Sequence, residues 1–163
     1  IAINELGSVR LPSIESMLVV SEGQTAIDTT ENALLSRAIR LNTRQQKYED
    51  FAAIWKRIET AWKVYEPLPQ TDEEAATWQQ FVPAWNAWKK DHQEYVRLSK
   101  EYDKYVEGQF NADAAYKKMI NQALVVNGVS FGKSESLLNE IASIYTNKAK
   151  QIKLMTPLVE WHF

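Results

Sequence analysis

The sequence predicts an all-α fold, a long antiparallel up-down-up-down four-helix bundle, on three observations. The first is a stripe at alternating three- and four-residue steps: Trp78, Phe81, Trp85, Trp88, His92, Tyr95, Ser99, Tyr102 and Val106, with seven of nine positions apolar or aromatic. Side chains that return to one face at this spacing belong to a helix packed lengthwise against other helices. A helix starting near Asp72 would be about 50 Å long, too long to bury its stripe without partners of similar length. The second observation is that the rest of the chain supplies such partners. The third is composition: five glycines and five prolines in 163 residues argue against a β-rich or disordered chain.

The first helical pattern runs from about Pro12 to Leu41, with Pro12 suited to a first turn, where its missing N–H would have no partner. Its end carries the apolar arc Leu34, Leu35, Ala38, Ile39 and Leu41; its middle is polar, with Ser21, Gln24, Asp28 and Glu31 around Val20 and Ile27. Two accounts of that polar middle stand open. One is a loosely packed, partly wet interior, and the other is a set of side chains reserved for a ligand or a second subunit. A tight turn is expected at Asn42–Thr43. The second helix follows from about Arg44 to Tyr65, with Tyr48, Phe51, Trp55, Ile58, Trp62 and Tyr65 inward, and Pro67–Leu68–Pro69 ends it.

The third helix opens on Thr71–Asp72–Glu73–Glu74, where Thr71 can cap the backbone and Glu74 can reach back to it. Pro83 should kink this helix rather than end it. The pattern fades at Val106–Glu107–Gly108. A short piece from about Ala112 to Leu124 carries Tyr116, Met119, Ile120 and Ala123, and Val125–Val126–Asn127–Gly128 is expected to interrupt or bend it. The last helix runs from about Ser130 to the end, with Leu137, Leu138, Ile141, Ile144, Tyr145, Ile152, Met155 and Val159 inward. Short connections imply antiparallel neighbours, and an even number of helices puts both chain ends at one pole. Residues 1–163 read as one domain, and the uncapped ends read as those of a fragment cut from a longer protein.

Bulk charge and composition narrow the function. Nineteen basic against twenty-one acidic residues leave no basic field to replace the counterions on nucleic acid. Without cysteine there is no disulfide framework, thiolate metal site or thioether-linked haem. No apolar run reaches the roughly 18 residues of a membrane span, and no signal peptide opens the chain. Neither His92 nor His162 has a glutamate three residues before it, as a di-iron bundle would need, and no phosphate loop or nucleophile elbow occurs. The expectation is a protein that is not an enzyme and needs no cofactor. His92, among Trp88, Tyr95 and Ser99, reads as a hydrogen-bonded core residue, a non-covalent haem ligand or a pH-sensitive core group. One polar cluster stands apart: on a continuous first helix, Arg37, Arg40 and Arg44 would fall within roughly 60° of one another, opposite the apolar arc. They form either a solvated face or a carboxylate clamp facing another subunit, with too few adjacent acids to pair them.

Two stretches carry a resemblance. Leu11–Pro12–Ser13–Ile14–Glu15, and Phe81 to Ser99 reading Phe-Val-Pro-Ala-Trp-Asn-Ala-Trp-Lys-Lys-Asp-His-Gln-Glu-Tyr-Val-Arg-Leu-Ser, resemble the four-helix-bundle sensor domains of bacterial methyl-accepting chemotaxis proteins. Helix order and lengths extend the likeness over nearly the whole chain. The resemblance implies a periplasmic domain of an inner-membrane receptor, held by flanking membrane helices and paired as a homodimer through the first helix. It implies signalling by small helix shifts when a small molecule, an organic acid or amino acid, binds. The same module on a histidine kinase or cyclase, or a haem or redox bundle using His92, is the alternative. In the aspartate and serine receptors of that family, first-helix arginines hold the ligand across the dimer interface. Ser36–Arg37–Ala38–Ile39–Arg40 is similar to that region, with one residue fewer between the arginines. The resemblance therefore implies a ligand site of Arg37, Arg40 and Arg44, with Tyr116 and Asn121 contributed by the last helix.

Overall fold

In the computed structural model, residues 9–105 and 110–155 are described. They form α1 (Leu11–Leu34), α2 (Leu41–Tyr65), α3 (Asp72–Tyr102), α4 (Phe110–Asn121) and α5 (Gly128–Met155). A π-helical segment, Gln122–Asn127, joins α4 to α5 with right-handed helical backbone at both ends, so the two make one continuous rod. Four long rods thus pack antiparallel as a bundle. α1 lies along α2, α3 lies along the α4–α5 rod, and α1 closes the bundle against α5. Val106, Gly108 and Val159, with the chain ends and the side chains of Ile152 and Met155, lie outside the described residues.

The aromatic stripe is the core. Phe81, Trp85, Trp88 and Tyr95 are buried on α3, and Phe51, Ile58 and Tyr65 face them from α2. Ring contacts run without a break from Tyr65–Trp78 through Trp62–Phe81 and Trp62–Trp85 to Trp55–Trp88 and Phe51–His92. Aromatic pairs at these separations, 4.6 to 5.7 Å, add specific edge and face attraction to the area they bury. The expected capping box opens α3: the Thr71 hydroxyl accepts from the Glu74 N–H, and Glu74 accepts from the Thr71 N–H. α3 then runs unbroken through Pro83.

Two boundaries differ from the sequence expectation. α1 stops at Leu34 instead of continuing to Leu41, and α2 starts at Leu41 instead of after a turn at Asn42–Thr43. Past Leu34 the backbone tightens into three-residue turns, Leu35 N–H to Asn32 and Ser36 N–H to Ala33, and the Ser36 hydroxyl takes the Ala38 N–H. A serine that satisfies nearby backbone in this way competes with helix propagation. Of the arc Leu34, Leu35, Ala38, Ile39 and Leu41, only Leu34 is buried; Leu41 is half exposed.

The second difference is Val125–Val126–Asn127–Gly128, which widens the last helix without breaking it. The inward positions there are Ala115, Met119, Ala123, Asn127 and Phe131, four steps of four residues. At 100° per residue each such step drifts by about 40° from the face it must keep. A π turn, closed between residues five apart, absorbs that drift and keeps the stripe on the core.

One close approach is set by a missing side chain. A Cβ placed on Gly23 of α1 would stand 2.4 Å from Ile58 Cγ1 and 2.7 Å from Ile58 Cδ1 on α2. Ile58 is buried and has little freedom to yield. Gly23→Ala should therefore destabilise the fold by about 1–3 kcal/mol through overpacking, against a helix-propensity gain of about 1 kcal/mol. In an Ile58→Ala background the same change should turn stabilising. Urea denaturation of the two singles and the double gives the sign in each background.

Candidate functional site

Of the predicted site residues, Arg37, Arg40, Arg44 and Tyr116 lie at the pole where α1 turns into α2, without sharing a face, and Asn121 lies more than a turn farther along α4. Because α1 ends at Leu34, Arg37 lies in the turn, Arg40 is the exposed residue preceding α2, and Arg44 is one turn inside α2. Arg44 is buried. Its Nε donates to Asp103 in a short contact, one terminal nitrogen donates to the Leu34 carbonyl at 2.6 Å, and the other donates to Ser99 Oγ at 2.7 Å. Its guanidinium also stands 5.2 Å from the centre of the Tyr102 ring. Tyr48 completes the set, donating to Asp103 at 2.6 Å and sharing a hydrogen bond with Ser99. Burial, with the Asp103 contact beside it, pushes the Tyr48 hydroxyl up to about 12. Arg44 is thus a brace between α1, α2 and α3 that caps the last carbonyls of α1.

Arg37 is half exposed. It donates to Asp113 on α4 at 2.8 Å and lies 4.0 Å from the centre of the Tyr116 ring, and Tyr116 donates to the Leu35 carbonyl at 2.6 Å. The expectation of too few neighbouring acids is corrected here: Asp103 and Asp113, distant in sequence, pair Arg44 and Arg37. Asn121 is exposed on the last turn of α4, and Arg40 is exposed as well. The structure therefore brings Arg37 and Tyr116 together, turns Arg44 inward, and leaves Arg40 and Asn121 on the surface. Asp103, Ser99 and Asp113 were not singled out in the sequence; Ser99 alone was visible, as the polar member of an aromatic stripe.

A second polar centre lies mid-bundle, where the sequence left the middle of α1 open. Glu31, His92 and Asn127 are each at most 3% exposed, so every polar atom there needs a partner. His92 Nδ1 lies 2.5 Å from Glu31 Oε1, and the Asn127 amide donates to both Glu31 oxygens at 3.0 and 2.9 Å. Gln122 donates to Asn127 and to the Asp91 carbonyl, while Tyr95 donates to the Glu31 carbonyl at 2.8 Å. Burial and the Glu31 charge raise the Tyr95 hydroxyl far above its ordinary value. Phe51 and Trp55 pack on the His92 ring at 4.7 and 5.5 Å. Of the readings of His92, the geometry favours the hydrogen-bonded core residue. Gln24 is likewise internal, donating to Ser134 Oγ at 2.6 Å. Of the polar middle of α1, Gln24 and Glu31 are therefore ties to α3 and the last rod, while Ser21 and Asp28 stay partly exposed.

A third centre lies toward the other pole, where buried Glu74 accepts from Tyr145 in a short contact and faces the Tyr65 hydroxyl at 3.5 Å. Burial pushes the Tyr65 hydroxyl up to about 12. Separate from these centres, a groove of about 350 Å³ lies between α1 and α5 against Ile14, Met17, Leu18 and Tyr145. Another, of about 320 Å³, lies between α2 and α3 against Trp55, Trp62 and Trp85. Among the described residues no group of three or more His, Cys, Asp or Glu converges as a metal site.

Breaking a buried pair strands the remaining member in a dry interior. Glu31→Ala or His92→Ala should each cost on the order of 3–5 kcal/mol, and the double variant should cost clearly less than their sum. Equilibrium unfolding of the three variants supplies the cycle.

Residues 21–156 match the family model described as a four helix bundle sensory module for signal transduction. No curated protein and no solved structure matches the chain. Among the described residues no helix is long and apolar enough to cross a membrane. The match spans most of the chain and the same helices that form the bundle, so the chain belongs to the family of four-helix-bundle sensory modules for signal transduction.

Proposed function

We propose that this bundle is the extracytoplasmic, ligand-sensing domain of a transmembrane chemoreceptor, lying in the periplasm between flanking membrane helices. The observation that carries this reading is the match to a sensory module over residues 21–156, which makes sensing, not catalysis, the work of the fold. The ligand is a small carboxylate-bearing molecule, an organic acid or amino acid, and it binds at the pole through Arg37 and Arg40 beside Tyr116 and Asn121. Arg44 positions that pole from inside. Arg37 supports the reading because its pairing with Asp113 is solvent-exposed, and an exposed pair is only weakly held. A ligand carboxylate that takes Arg37 in a two-pronged contact can replace Asp113. Since Asp113 belongs to the last rod and Arg37 to the α1–α2 turn, the exchange would move one against the other by a small amount.

The homodimer is proposed to form through α1. Leu11, Ile14 and Leu18 recur along its outer face at 55%, 40% and 56% exposure, an apolar strip on an otherwise mixed surface. Two α1 helices paired along their full length, beyond the strip at their first two turns, would also bring the two Arg37 poles together, so ligand and dimer should stabilise each other.

A thermal-shift screen of amino acids and di- and tricarboxylates tests the reading. A ligand at a hundred times its dissociation constant should add about 2.7 kcal/mol of stability. That gain should vanish in Arg37→Ala and fall in Arg40→Ala, while both variants keep the unliganded stability. Arg44→Ala should lower the unliganded stability itself, because it strands the largely enclosed Asp103 and frees the Leu34 carbonyl. A hit whose shift survives both Arg37→Ala and Arg40→Ala would place the carboxylate elsewhere.

A further inference from the structure

The groove between α2 and α3 has a chemistry unlike the pole. Trp55 and Trp62 line it half-buried, and Trp85 stands between them at ring separations of 5.9 and 5.7 Å. Three indoles therefore bound one cleft of about 320 Å³. Its remaining polar lining is Glu59, Glu66, Asn86 and Lys89, two carboxylates against one ammonium. An indole face is electron-rich and attracts a cation that approaches within about 6 Å of its centre.

The groove already shows that attraction at work. The Lys89 ammonium lies 4.7 Å from the centre of Trp55 and 3.3 Å from Glu59 Oε1. Lys89 is one-third exposed and Glu59 more than half exposed, so this resident cation is held at the mouth and not locked inside. An ammonium with three N–H donors is strongly hydrated and surrenders that hydration reluctantly. A quaternary ammonium has no N–H to satisfy, and its methyl groups gain from burial against indole.

We propose that the α2–α3 groove is a second binding site, specific for small quaternary ammonium cations, in which Lys89 is the resident competitor that a ligand must displace. Trp55 and Trp62 supply the aromatic walls over the buried Trp85 beneath them, and Glu59 and Glu66 supply the compensating charge. The carboxylates make a choline-like cation the better fit and oppose a zwitterion that brings its own carboxylate. The site is separate from the pole arginines: Arg37 and Arg40 precede α2, and Arg44 lies about three turns before Trp55 along it.

The test is calorimetric titration of the 163-residue chain with choline chloride and with its neutral isostere, 3,3-dimethylbutan-1-ol. Choline should bind saturably, and the neutral alcohol about tenfold or more weaker, since the charge–ring attraction is lost. Lys89→Met removes the competitor from a surface position and should tighten choline about three- to tenfold. Trp55→Leu should weaken it by a similar factor, with helical content checked by circular dichroism. Arg37→Ala should leave choline binding unchanged, which separates this site from the carboxylate reading. Should Trp55→Leu fail to fold, the Lys89→Met gain decides alone. Absence of saturable choline binding in both the parent chain and Lys89→Met would overturn the proposal, as would equal binding of the neutral isostere.

Discussion

A carboxylate buried in an aromatic bundle must find donors, and Glu31 is the constraint on which the arrangement of the helices depends. Leaving one such charge unpaired in a dry interior costs several kcal/mol, a large part of the stability of an ordinary domain. Glu31 finds its donors on two other rods, His92 of α3 and Asn127 of the last rod. Sliding any of the three helices by one turn would move a partner by about 5.4 Å and strand the carboxylate. The apolar stripe alone is less exacting, because Trp, Phe and Ile can repack along a seam in more than one register. The polar centre therefore adds what the stripe lacks: a single axial alignment of α1, α3 and the last rod. The π turn belongs to the same constraint, since it brings Asn127 inward at the level of Glu31.

The three polar centres divide the bundle by how firmly each is held. Glu31 and Glu74 are enclosed and surrounded by aromatic rings or tyrosine hydroxyls, so exchanging their partners with water is costly. At the pole the inner layer, Arg44 with Asp103, is equally closed, while the outer layer, Arg37 with Asp113, is open to solvent. A sensory module needs a contact that an outside molecule can replace, placed on elements whose relative position is otherwise fixed. On the proposed reading the outer layer of the pole is that contact, and the closed centres beneath it would confine any displacement to small shifts along the rods.

Much of the fold was legible in the sequence, and the failures have physical causes. The stripe from Trp78 to Tyr102 and the capping box at Thr71 and Glu74 could be read because their spacing admits one geometry. The end of α1 could not. Leu35, Ala38 and Ile39 continue the helical arc in spacing, while the Arg44 contact that caps the Leu34 carbonyl depends on folded neighbours. The arginine cluster inherited that error, because its shared face existed only on a first helix continuous through Arg44. Its acids, Asp103 and Asp113, are separated from it by 59 and 76 positions, a distance over which one sequence gives no pairing signal. Val125–Val126–Asn127–Gly128 reads locally as a breaker, yet the run of four-residue steps from Ala115 to Phe131 was present and pointed to a wider turn. Of the residues named for a site, the inward turn of Arg44 was not legible, since its partners Leu34, Ser99 and Asp103 come together only in the fold.

The central claim, that the buried polar centre sets helix register more than it adds stability, is tested most directly by amide hydrogen exchange. The comparison is between the parent chain and the triple variant Glu31→Leu, His92→Leu, Asn127→Leu, which removes the three buried side chains together and leaves Gln122 the Asp91 carbonyl and Tyr95 the residue-31 carbonyl. The account predicts an unfolding midpoint that holds or rises, together with faster exchange across Gln122–Asn127, where the π turn has lost the tie that fixes its place. Unchanged protection of that segment in the triple variant would contradict it.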